Sequence, residues 1–177
     1  LLEGRLQVTD LRALERLEAA LDVERAARLG GLRAPRIDEQ LVGKRYEFGA
    51  FEVTEEALRA YAEATGDEHP EHTGAEGAEL IGAPLFPVRP LVDVLFGVID
   101  DPPGGIDRLR LVHGEQDMVL YAPLRPGDRV ARRGRIVGIE RKSSGQLVRL
   151  VQQLVRGQEV VTEATSVLFV RDELDVR

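Results

Sequence analysis

Apolar positions along the chain change their spacing three times. Between residues 9 and 29, Leu11, Leu14, Leu17, Leu21 and Val23 fall near one helical face while Arg and Glu fill the others, which predicts an amphipathic helix. Thr9 or Asp10 suits its N-cap and Gly30-Gly31 its end. Residues 1–40 therefore read as an N-terminal amphipathic helix and linker, and 41–177 as a single domain. That domain opens with a strand-like segment, Val42 to Val53, with Tyr46 and Phe48 on one face. Thr54 then caps a helix with Glu55 and Glu56 in its first turn; Ala57, Tyr61 and Ala64 share one side, and Gly66 stops it.

After a polar loop, residues 89–100 (RPLVDVLFGVID) predict a second helix, with Pro90 near its first turn. Its apolar residues Leu91, Val92, Leu95, Phe96, Val98 and Ile99 spread so widely that burial on most sides is expected. The run DDPPGG, Asp100 to Gly105, breaks the chain. Beyond it the spacing becomes strand-like over about 108–122, 129–141, 146–156 and 159–171, with the turn-rich stretches RPGD, SSG and RGQE between. In the last strand Thr162, Ala164, Ser166, Leu168 and Val170 share one face. Helices followed by a run of antiparallel strands make the class α+β, with a buried helix lying against a curved sheet.

Composition narrows the chemistry. The 177 residues, 43% hydrophobic, suffice for one ordinary core without staples. With no cysteine, thiol nucleophiles, iron–sulfur ligation and disulfides are excluded. The net charge of -7 argues against a general nucleic-acid binder. No apolar run approaches the roughly 20 residues that span a bilayer, and the first residues lack a secretion signal, so a cytoplasmic location is expected, with no membrane partner.

The charge is unevenly placed. Residues 52–79 hold nine acids and one base, a local charge of -8, whereas Asp128 to Lys142 holds six bases against two acids. The basic run reads as a solvated strand face or as a surface for phosphates or an acidic carrier. Two of the three histidines lie in the acidic stretch, in GDEHPEHT: Asp67, His69 and His72. Three readings are open: a solvated loop bent by Asp67, a divalent-metal site of His69, His72 and Asp67 or a neighbouring Glu, or an acid/base pair of Asp67 and His72. His113, in the strand-like LRLVHGEQ, reads as structural, and Gly114 as a bulge or close approach.

The segment VGKRYEFGAFEVTEEALRAYAEATGDEHPEH resembles the opening of the MaoC-like hot-dog family, which includes (R)-specific enoyl-CoA hydratases and 3-hydroxyacyl thioester dehydratases. The family motif is approximately D-x-N-P-x-H after a helix ending in Ser/Thr-Gly; here Thr65-Gly66 precedes Asp67, Pro70 and His72, with His69 in place of Asn. HGEQDMVLYAPLRPGDRV resembles the family's strand-turn-strand, and the likeness spans about residues 41–171. It implies a hot-dog fold, with Asp67 and His72 as the catalytic pair for interconverting 2-enoyl and 3-hydroxyacyl thioesters of CoA or acyl carrier protein. It also implies no cofactor or metal, and a homodimer or a heterodimer with a second hot-dog chain. The chain departs from the pattern where hydratases carry His-Gly before the central helix: it has GAPLFPVRPLV, similar to the fungal fatty-acid-synthase-type dehydratase N-terminal branch. Some units of that branch are noncatalytic, so a noncatalytic subunit or acyl-thioester binding module is the alternative.

Overall fold

The structure, a computed structural model, describes residues 36–101 and 106–172; the expected N-terminal helix and the Pro-Pro-Gly-Gly of the break lie outside them. A 3-10 turn, Glu39–Leu41, leads into strand β1, Arg45–Glu52, then helix α1, Glu55–Thr65, the one-turn helix α2, Pro70–Thr73, and helix α3, Val88–Ile99. A second 3-10 turn, Arg108–Arg110, opens the strand run β2 (Leu111–Leu120), β3 (Arg129–Lys142), β4 (Gly145–Arg156) and β5 (Glu159–Arg171). Thr54 caps α1 as its sequence demands, its side chain accepting from the Ala57 N–H at 3.1 Å. The buried side of α1 centres on Leu58 and Ala62, with Ala57 and Tyr61 only partly buried and Ala64 exposed, so the expected face is rotated by one position.

The five strands form one antiparallel sheet in the order β1-β3-β4-β5-β2. The face of β5 expected to share one environment, Thr162 to Val170, is buried throughout. Bulges interrupt β1 between Phe48 and Phe51 and β2 between His113 and Glu115, the latter at Gly114. Helix α3 lies over β1, β3 and β4. It approaches β3 at Gly134, where a Cβ would stand 2.7 Å from Val94 Cγ1. Val94, Leu91, Phe86, Val53 and Leu154 fill one part of the core, and Val98, Ile99, Ile136 and Leu168 another.

The helix is less covered than its sequence predicts. Val88 and Phe96 are each 43% exposed, and the Arg108 guanidinium stacks 4.7 Å from the Phe96 ring centroid. One sheet shields one side of a helix, and here that side is the one facing β1, β3 and β4. At the far end of α3, Asp101 accepts from the Tyr46 hydroxyl at 2.8 Å and pairs with Lys44, tying the helix to β1. Burial, with the Asp101 bond and charge adding to it, pushes the Tyr46 hydroxyl pKa up.

Candidate active site

Helix α1 ends where a left-handed residue is needed. Gly66 has φ 65°, its N–H returns to the Ala62 and Glu63 carbonyls, and the Asp67 N–H bonds to Ala62 O at 2.9 Å. Asp67 is thereby turned toward the chain that follows. Its Oδ1 accepts from the His69 N–H at 2.9 Å, and its Oδ2 lies 2.7 Å from His72 Nδ1. The turn that makes this possible is α2, which starts at Pro70, whose missing N–H costs nothing at a first helical position. Sequence spacing alone showed a polar loop there. The sequence-predicted pair is thus brought into direct contact, with side chains 26% (Asp67) and 13% (His72) exposed.

His69 takes another role: its ring lies 4.7 Å from that of His72, centroid to centroid, and its backbone N–H is the chief influence on Asp67. That N–H holds the carboxyl below the usual carboxylate range; desolvation opposes it, and the His72 bond adds to the lowering. Asp67 is therefore a carboxylate near neutrality. With Nδ1–H donating to it, a neutral His72 ring carries its lone pair on Nε2, a tautomer assigned from the bonding. Among the described residues no set of three His, Asp or Glu side chains gathers as a metal-binding group.

His72 lines a largely apolar cavity of ≈ 340 Å³, walled by Ile81–Pro84, Pro87 and Leu120–Leu124. The Gly82 N–H joins the two walls by donating to Leu124 O at 2.7 Å, and the Ile81 N–H ties one wall to the His72 turn through Glu71 O at 2.8 Å. The Tyr121 and Ala122 N–H groups both donate to Val161 O, anchoring the second wall to β5. Fully buried Phe86 lies close behind Gly82, edge-on to Tyr61 of α1 at 5.5 Å and to Phe51 at 6.4 Å. Leu91, Leu95 and Phe96 do not line the cavity, because they lie further along α3 and Phe96 faces outward. Neither wall's place beside a cavity follows from its own sequence, since each is a short apolar stretch among prolines.

The start of α3 offers little to an anion. The Val88, Arg89 and Leu91 N–H groups are taken by Leu85 O, Phe86 O and Pro87 O, and Pro84, Pro87 and Pro90 have none. In this stretch the Ala83 and Leu85 N–H groups have no acceptor among the described residues, and Ala83 lines the cavity. His113 is exposed on β2, away from the cavity walls. Within the basic run, Arg132 pairs with Asp93 of α3 and donates to Gly49 O at 2.9 Å, and Arg141 pairs with Asp172.

No helix among the described residues is long and apolar enough to cross a membrane. The signature described as "FAS1-like, dehydratase domain region" matches residues 40–164. A UPF0336 protein of Streptomyces coelicolor, SCO4636, is 33% identical over 141 residues, covering 75% of this chain and 94% of its own length. The C-terminally truncated HadBC (3R-hydroxyacyl-ACP dehydratase) complex of Mycobacterium tuberculosis shares the fold, with a TM-score of 0.61 at 20% identity over 73% of this chain and 96% of that one. So does the MaoC-like dehydratase of Rhodospirillum rubrum, with a TM-score of 0.58 at 18% identity over 75% and 93% of the two chains. The chain belongs to the FAS1-like dehydratase-region family and has the MaoC-like hot-dog fold.

Proposed function

We propose that the protein is a hydro-lyase that interconverts 2-enoyl and 3-hydroxyacyl thioesters of CoA or acyl carrier protein in the cavity beside His72, with Asp67 and His72 as its acid/base pair. The observation that carries this reading is the 2.7 Å contact of Asp67 with His72 Nδ1 at the wall of an apolar cavity. Asp67 orients the imidazole and stabilises its protonated form. In hydration Nε2 takes a proton from water as the oxygen bonds to the β-carbon; the resulting enolate then takes that proton at the α-carbon, and dehydration reverses both steps. In this reading the Ala83 N–H, which lacks an acceptor among the described residues and belongs to a cavity-lining residue, is the candidate donor to charge that develops on the thioester oxygen. The HadBC complex named above is a 3R-hydroxyacyl-ACP dehydratase, which supports the same class of substrate.

The experiment is hydration of a short enoyl-CoA series followed by loss of the enoyl absorbance. Asp67→Asn and His72→Ala are expected to lose on the order of 10²- to 10⁴-fold in kcat; turnover that persists in both sinks the assignment.

A second hot-dog chain, identical or different, is part of this reading. Among the described residues β2 ends the sheet with one backbone edge unpaired, and Val112, Val119 and Leu120 along it and Tyr121 just beyond it are 44–58% exposed. The sealed amides at the start of α3 favour one further reading, a noncatalytic subunit that binds the acyl thioester for a catalytic partner. It predicts thioester binding without turnover by the isolated chain, and turnover in the presence of a partner that leaves Asp67 and His72 dispensable.

A further inference from the structure

Helix α2 is a single turn, too short to hold itself by its own hydrogen bonds, because helix nucleation is unfavourable and the last carbonyls of any helix lack internal partners. Its N-cap, His69, makes no side-chain capping bond. Yet this turn carries His72, and the Nδ1 contact with Asp67 depends on where the turn sits. The start of the turn is held by Asp67 itself, through the His69 N–H. The end is held from outside.

Arg59 supplies that hold. Two of its nitrogens, Nε and Nη2, donate to Glu55 Oε1 at 2.9 and 2.8 Å, which fixes the guanidinium along the surface of α1. The remaining nitrogen, Nη1, donates to Thr73 O and, at 3.3 Å, to Gly74 O, the carbonyls that follow His72. Gly74 is shaped for this contact. It has φ 64°, and a Cβ on it would stand 2.6 Å from Arg59 Nη2. Arg59 also follows Leu58, one of the two residues that anchor α1 in the core. Both members of the pair are thus referred to one rigid element: Asp67 through the Gly66 cap of α1 and His72 through the Arg59 fork of α1.

We propose that Arg59 is a positioning residue that sets His72 against Asp67, with Glu55 and Gly74 as its supports; for catalysis this rests on the acid/base reading above. An exposed ion pair such as Arg59–Glu55 contributes little to stability, so the signature is a change in rate with little change in folding. A misplacement of about 1 Å is enough to cost a large factor in rate.

The test combines kinetics with NMR of the ligand-free protein. Arg59→Gln is expected to lower kcat about tenfold or more with KM within about twofold, and Gly74→Ala to do the same by displacing the guanidinium. Arg59→Lys should recover part of the loss, since an ammonium can reach a carbonyl but cannot span Glu55 and both carbonyls as a fork. In ¹⁵N-labelled protein the His72 ring N–H resonance should exchange faster with solvent in Arg59→Gln. A kcat within about twofold of the parent together with an unchanged ring N–H overturns the proposal, as does an equal loss in Lys and Gln variants that both unfold at markedly lower temperature. If Asp67→Asn and His72→Ala keep their turnover, the functional reading fails by itself, and the ring N–H measurement still decides whether Arg59 positions His72.

Discussion

Replacing Asp67 by Asn isolates what the carboxylate does. In the parent, each oxygen accepts one hydrogen bond, from the His69 N–H at 2.9 Å and from His72 Nδ1 at 2.7 Å. An amide of the same shape has one oxygen. If that oxygen keeps the His69 N–H, the NH₂ group faces Nδ1–H, and two donors meet; the ring relieves this by moving its proton to Nε2. The nitrogen that must accept a proton from water is then already protonated. The same carboxylate-to-amide change in serine proteases drops kcat about 10⁴-fold for this reason, so we expect a loss of roughly 10²- to 10⁴-fold, or about 2.7 to 5.4 kcal/mol in barrier at 1.36 kcal/mol per factor of ten. The assay is kcat on a short enoyl-CoA, paired with ¹⁵N chemical shifts of the His72 ring, which distinguish the tautomers. A variant that loses less than tenfold, or that loses activity while Nδ1 stays protonated, refutes the reasoning.

Three further outcomes follow from the geometry. Phe86→Ala empties a fully buried site in edge contact with Tyr61 and Phe51 and should cost about 3–5 kcal/mol in denaturant unfolding; a loss under 1 kcal/mol would show that the core behind the cavity collapses freely. Asp67, held below the ordinary 3.8 by the His69 N–H, and Asp101, held below it chiefly by its bond to Lys44, are both depressed in the fold. Their contribution is complete above the unfolded value and is lost as pH falls through the folded values, so the parent's advantage over Asp101→Asn should shrink below about pH 4 and be flat from pH 5 to 7 in thermal unfolding series. Val112→Lys with Val119→Lys places charges on the unpaired edge of β2 and should shift the protein to a smaller particle in light scattering, with no shift counting against a second chain at that edge.

Local chemistry was legible in the sequence; juxtaposition was not. The Thr54 cap and the Gly66 stop placed α1, and β5 runs from 159 to 171 as its alternation predicts, because caps and period-two burial act within a few residues. The four residues of α2 are too few to show a helical period, so Pro70–Thr73 read as loop although that turn brings His72 to Asp67. The cavity walls were invisible for another reason. Ile81–Pro84 and Leu120–Leu124 meet through a hydrogen bond between residues 42 apart, and nothing in either stretch announces the other. Phe96 misled because a broad apolar stripe reports hydrophobicity on every side of a helix and is silent about which side the sheet reaches.

The strand order has a consequence for how the chain is made. β2 pairs with β5 alone, and the second cavity wall hangs on Val161 of that same last strand. On a ribosome, Asp67 and His72 can settle against α1 soon after they emerge, whereas their cavity must wait for roughly another hundred residues. Until then β2 is an orphan, with its acids Glu115 and Asp117 keeping it from pairing with other nascent strands. Closure of β2 on β5 across the intervening hairpin therefore comes last, because β5 is the last strand of the sheet to be made, and it completes the sheet and the cavity together.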